Sequence, residues 1–183
     1  MYFKEPGPEN TEAALRIAKE EAERKSISHL VVATTSGKTG ILAAQLLQGT
    51  GIELICVTHN AGFKDPGGVE LPSETKERIE TLGGIVLTCP MVLRSLGGAI
   101  RKKYGYSEQQ LVADVLRMFG QGMKVCVEIT AMAADAGLVP PSDVIAVGGT
   151  SSGADTVVLL HADSSNNFFD IKVKEILAKP SGF

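Results

Sequence analysis

Apolar residues in this chain come in two patterns, short unbroken runs and longer stripes, and the two alternate. His29-Leu30-Val31-Val32-Ala33-Thr34 is an unbroken run bounded by turn residues, which predicts a central strand buried on both faces. Ile52-Glu53-Leu54-Ile55-Cys56-Val57-Thr58 and Ile85-Val86-Leu87-Thr88 predict further strands. Between the first two lies Ile41 to Leu47, a helical stretch that stops at Gly49. Strand, helix and strand in that order form a βαβ unit, so the two strands should be parallel.

Stripes at helical spacing fill much of the rest. Asn10 should cap a helix running to about Lys25, with Leu15, Ala18 and Ala22 on its apolar face. Its pairs Glu12/Arg16, Glu20/Arg24 and Glu21/Lys25 have the favoured acid-first order. A helix should begin at Ser73 and end at Gly83-Gly84, and another should follow Pro90 to about Tyr104, weakened by Gly97-Gly98. Ser107 with Gln110 reads as a capping box before the apolar positions Leu111 to Phe119. Met123 to Ala136 carries both a strand-like alternation and a helical stripe. Its alanine-rich second half and the stop at Gly137 favour helix. Asp143 to Val147 and Thr156 to His161 predict strands, and Phe169 to Leu177 a last one. The whole reads as one α/β domain over residues 1–183. It has three layers: a mostly parallel sheet, helices on both faces, and an antiparallel edge.

Composition narrows the function classes. A net charge of -3 does not favour a general nucleic-acid role, and Arg101-Lys102-Lys103 suits the C-terminal end of a helix. No apolar run is long enough to span a bilayer, so no membrane partner is expected. Cys56, Cys89 and Cys126 have neither disulfide-framework nor zinc spacing, which leads to an expected reducing, cytoplasmic setting and no metal site. Aromatic residues are only 5% of the chain, so the core must be aliphatic. Leu111 to Phe119 can serve as core or as a homo-oligomer contact.

Two loops rich in Gly, Ser and Thr follow strands. Thr34-Thr35-Ser36-Gly37-Lys38-Thr39 precedes a helix, whose first N–H groups lack internal partners and favour an anion. In this loop Gly37 should let the backbone approach a ligand, Ser36 and Thr39 add hydroxyls, and Lys38 adds a charge. The second loop runs through Gly148, Gly149, Thr150, Ser151, Ser152 and Gly153. In an open parallel sheet ligands bind beyond the carboxyl ends of the strands, where both loops fall. Together they predict a site for a phosphorylated small molecule. Gly37-Lys38-Thr39 looks like the end of a Walker A motif, but that motif needs a further glycine where Val32 stands, so a nucleotide-triphosphatase is not indicated.

Leu30 to Thr39 resembles a strand of the pyruvate kinase C-terminal domain and the Thr-Lys-Ser-Gly-Arg-Ser that follows it. Ile55 to Asn60 is similar to that domain's next strand, which ends Val-Thr-Arg-Asn. Asp143 to Gly153 is similar to its strand and Gly-rich effector loop. The resemblance implies phosphate contacts from Thr34, Ser36, Gly37 and Thr39. Lys38 replaces an arginine, whereas Thr35 replaces a lysine and so removes a cation. The catalytic barrel of the kinase is missing, so its reaction is not implied. Small stand-alone proteins of this type imply flavin mononucleotide (FMN) as the ligand, an identity that rests on the resemblance alone. A flavin-dependent oxidoreductase and a sugar-phosphate-responsive interaction domain remain as alternatives.

Other residues divide between function and structure. Asn60, beside the first loop, is either a ligand contact or a turn residue. His59 reads first as an exposed loop histidine, and Asp155 and Asp163 as turn or cap residues. Gly62-Phe63 and Gly67-Gly68 can form a lid, with Phe63 as a ring to stack on. Glu128 and Asp135 lie about two helical turns apart, roughly 10 Å, too far to couple, and default to a solvated face.

Overall fold

Strand-forming runs with a two-residue period place alternate side chains on opposite faces of a sheet, and here that alternation organises two cores. The computed structural model describes residues 1–182. Its strands are β1 (Tyr2–Phe3), β2 (His29–Ala33), β3 (Glu53–Val57), β4 (Ile85–Leu87), β5 (Asp143–Gly148), β6 (Thr156–His161) and β7 (Lys172–Pro180). Its helices are α1 (Thr11–Lys25), α2 (Lys38–Leu47), α3 (Ser73–Thr81), α4 (Ser95–Tyr104), α5 (Glu108–Arg117) and α6 (Gln121–Asp135).

The sheet order is β1-β7-β6-β5-β2-β3-β4. Strands β5, β2, β3 and β4 are mutually parallel, while β6 is antiparallel to both β5 and β7. This is the expected three-layer α/β fold with an antiparallel edge. Leu30, Val32, Ile145, Val147, Val157 and Leu159 point to one face and pack against α1, α2 and Ile79 of α3. Val31, Val144, Ala146, Val158 and Leu160 point to the other and pack against α6. The alanines of α1 (Ala14, Ala18, Ala22) are fully buried and let that helix lie close on the sheet.

The ambiguous segment ahead of Gly137 is helical, as α6. Several local expectations differ. Asn10 does not cap α1 with its side chain, because a 3-10 turn (Pro8–Asn10) runs directly into the helix; its amide donates instead to the carbonyls of Glu5 and Gly7. Arg24 pairs with Glu21 and Lys25 reaches across to Glu175, instead of the expected partners four residues back. The helix after Pro90 starts only at Ser95, since residues 91–94 form a turn closed by Arg94 N–H donating to Met91 O. Ser107 Oγ accepts from Gln110 N–H, but the Gln110 amide donates to Leu93 O, so only half of the capping box forms. Phe169 and Asp170 belong to a 3-10 turn (Ser165–Asp170) ahead of β7.

Candidate functional site

Between β2 and β5 the chain direction through the sheet reverses. After β2 it moves outward through α2 to β3, and β5 lies on the other side. Such a switch point opens a crevice beyond the strand ends. The N-termini of α1, α2 and α6 all reach it, as Pro8, Thr11, Lys38 and Gln121 all line its wall. The crevice encloses ≈ 1110 Å³, and its lining includes Thr34, Thr35, Ser36, Lys38 and Thr39 from the first loop and residues 149–153 from the second.

The first loop presents a row of unpaired backbone donors. Among the described residues, the backbone N–H groups of residues 35–39 have no acceptor. The first intrahelical bond of α2 is Ile41 N–H to Gly37 O at 2.9 Å, and the N-cap residue Gly37 offers no side chain to cap the helix. Thr34 N–H is tied to Val57 O and Thr34 Oγ1 accepts from Gly40 N–H, so the loop is held at both ends. Gly37 also has a structural part. It does not line the crevice. It adopts φ 89, and a Cβ there would lie 2.1 Å from Thr75 Cγ2, so it permits a sharp turn against α3.

The second loop is fixed from below. Asp155, fully buried, accepts from Thr150 N–H at 3.1 Å and from Thr156 Oγ1 at 2.7 Å. Ala154 N–H donates to Thr11 Oγ1, and Gly153 sits against Pro8, which joins this loop to the start of α1. Gly148 ends β5 and is buried; its missing Cβ leaves room for Gly122 O at 2.7 Å and so for the first turn of α6. It is therefore a packing residue and not a wall of the crevice. Ser151, with φ 63, does line it.

Asn60 is not on the wall either. Its amide nitrogen donates to Ala61 O and its Oδ1 accepts from Ser95 Oγ. His59, in contrast, lines the crevice and bonds Glu70 at 2.7 Å, pinning the start of the 59–72 loop to its end. Phe63 stacks on His59 with ring centroids 3.8 Å apart, and Arg94 lies over the Phe63 ring at 4.4 Å.

Beneath these residues the crevice continues into a smaller chamber of ≈ 100 Å³, sharing Ala33, Thr34, Thr35, His59, Phe63, Gln121 and Val125 with it. Arg94, Arg117, Lys124 and Glu128 line the chamber, with Val57, Met91, Ile129 and Met132. Glu128 is not solvated: Lys124 is 2% and Glu128 1% exposed, and the Lys124 ammonium donates to Glu128 Oε2. Glu128 Oε1 accepts from Leu93 N–H at 2.9 Å. Burial pushes the Lys124 ammonium below the usual lysine range, and the Glu128 carboxylate opposes that shift. A Lys and a Glu four apart within the apolar and small-residue stretch from Gly122 to Ala134 was the signal available in the sequence. Burial raises the Cys56 thiol to about 12 and raises that of Cys126 further, so both are inert core groups. Among the described residues no cluster of His, Cys, Asp and Glu could hold a metal ion.

Among solved structures, a pyruvate kinase from Cryptosporidium parvum is similar at 15% identity and a TM-score of 0.43. The similarity covers 83% of this chain and 22% of that one. An O-ureido-L-serine synthase is similar at 18% identity and a TM-score of 0.34, over 74% of this chain and 50% of that one. This chain thus spans about a fifth of the kinase and half of the synthase. No helix among the described residues is long and apolar enough to cross a membrane. The family model described as "Pyruvate kinase, alpha/beta domain" matches residues 12–160, through both crevice loops and the strands that carry them, and the chain belongs to that family.

Proposed function

We propose that this protein binds a phosphorylated small molecule, FMN, in the crevice between β2 and β5. The observation that carries the phosphate is the row of N–H groups over residues 35–39, free of acceptors and set at the N-terminus of α2. Backbone donors and the helix dipole stabilise negative charge there, and Lys38 adds a cation at the rim. Thr39 Oγ1 adds a hydroxyl to the same cradle. The remaining volume suits the rest of a large ligand, since ligand pockets run up to about 1,000 Å³. The flavin is supported by the resemblance to stand-alone proteins of this type, and when bound it would supply redox chemistry.

The test compares two ligands that differ only in the phosphate. Calorimetric titration should give tighter binding of FMN than of riboflavin. Lys38→Ala and Thr39→Val should weaken FMN by about 1.5–3 kcal/mol, the range for hydrogen bonds to charged groups, and leave riboflavin nearly unchanged. Equal weakening of both ligands would remove the phosphate from this loop. Failure of the wild-type protein to bind either ligand would remove the flavin.

A further inference from the structure

The deep chamber is charged in a way that the crevice ligand does not account for. Three cationic side chains line it, Arg94, Arg117 and Lys124, against one carboxylate, Glu128. Arg117 is offset in part by Asp114, with Nη1 to Oδ1 at 2.7 Å, and its Nε donates to Gln121 Oε1. Arg94 has no carboxylate partner among the described residues; its one contact of note is the Phe63 ring. Lys124 carries three donors and gives one to Glu128; the other two meet no acceptor among the described residues. An ammonium buried this deeply with donors to spare is costly unless something else satisfies it.

The polar framework holds these cations in place. Glu128 fixes Lys124 from one side and Leu93 N–H from the other, while Gln110 donates to Leu93 O. Leu93 is thus gripped on both backbone groups, and Arg94, the next residue, is set over Phe63 at the chamber mouth. The remaining wall is mixed: Val57, Met91, Val125, Ile129 and Met132 form an apolar stretch, and Thr34, Thr35, Thr58, His59 and Gln121 are polar. Cations beside an apolar stretch match an anion with a hydrocarbon body. Phosphate would leave the apolar stretch of Ile129 and Met132 without a partner and is the poorer match. A volume of ≈ 100 Å³, at roughly 10–15 Å³ per water-sized position, limits the occupant to a small molecule.

We propose that this chamber is a second site, which takes a small organic acid with its carboxylate on Lys124 and Arg94 and its apolar body against Ile129 and Met132. The site goes beyond the phosphate cradle and does not depend on the identity of the crevice ligand. Because the two cavities share Thr34, Thr35, His59 and Phe63, the acid sits next to whatever fills the crevice.

The experiment titrates the protein, with and without FMN, with benzoate and butyrate. Benzamide serves as the neutral isostere of benzoate, and inorganic phosphate as the hydrophilic anion. Benzoate or butyrate should bind and benzamide should not. Arg94→Gln, at an exposed position, should weaken the acid at least about tenfold, equivalent to about 1.4 kcal/mol. Because Lys124→Met alone leaves Glu128 buried and unpaired, the pair is removed together as Lys124→Met/Glu128→Gln, which should abolish binding. Lys38→Ala should leave it unchanged. The proposal is overturned if neither acid binds the wild-type protein, or if benzamide binds as well as benzoate. Phosphate outcompeting the acids, or Lys38→Ala weakening them as much as Arg94→Gln, would overturn it too. The Lys38 and Thr39 variants assayed with FMN test the crevice separately, so either site can fail alone.

Discussion

At the scale of single residues, the shape of the first loop depends on Gly37, whose missing side chain matters more than any contact it could make. Gly37 turns the chain at φ 89 directly against Thr75 and Leu71 of the neighbouring segment. Gly37→Ala imposes a strained backbone, about 1–3 kcal/mol, together with a steric clash. The urea midpoint should fall, and FMN affinity should fall further than in Lys38→Ala because the free N–H groups are displaced together. An unchanged midpoint would show that the loop relaxes without strain. That Ser36, Lys38, Thr39 and residues 149–153 lie at strand ends beside a crevice was legible, because small polar residues after a buried run mark strand ends. Gly37, Gly148 and Asn60 fit the same pattern, yet their roles depend on neighbours distant in sequence: Thr75, Gly122 and Ser95. Asp143 shows the reverse case of a strand residue with unforeseen partners. Lys174, with lesser help from His161, holds its carboxyl below the usual aspartate range. A lowered folded-state value contributes stability above the ordinary aspartate pKa and loses it as pH falls through the lowered one. Since Asp143 is one third exposed, Asp143→Asn should cost well under about 1 kcal/mol, and the difference from wild type should vanish in acid. Urea melts at neutral and acidic pH measure it.

Among elements, α6 carries the most varied duties. It covers one face of the sheet with Met123, Val127, Ile129 and Met132, places Gln121 in the crevice, and buries the Lys124–Glu128 pair. Its helical state was readable from the alanine-rich stripe. Its orientation was not, because a charged pair in sequence suggests solvent until the opposing layer is known. That layer is the 91–94 turn and α5, and the turn was expected to be helix. Breaking a buried pair on one side costs about 3–5 kcal/mol, whereas replacing both partners is often close to neutral. Lys124→Met should therefore lower stability by that amount, and Lys124→Met/Glu128→Gln should regain most of it, read by denaturant melts. A double variant no more stable than the single would mean that the cost comes from lost packing of the lysine stem. Where α6 meets the sheet, Gly122 approaches Thr156 so closely that a Cβ would lie 2.0 Å from its Oγ1. That contact seats the helix N-terminus at the ends of β5 and β6.

For the molecule as a whole, the crevice joins halves of the chain that are remote in sequence. One wall comes from residues 33–42 and the other from residues 149–153, with α6 and the start of α1 between them. A ligand there should slow hydrogen exchange in both loops together and raise the thermal midpoint with concentration as binding linkage requires. Protection of one loop alone would show that the ligand sits on one side only. The pairing of Leu30 with Ile145 and of Val32 with Val147 has a further consequence, for biosynthesis. On a ribosome the first βαβ unit can emerge and form early. The cradle at its end lacks its opposite wall until β5 and the following loop are released and β5 docks beside β2. The crevice is therefore complete only after β5 and the loop behind it have emerged, and a nascent chain stalled before β5 should fail to retain FMN.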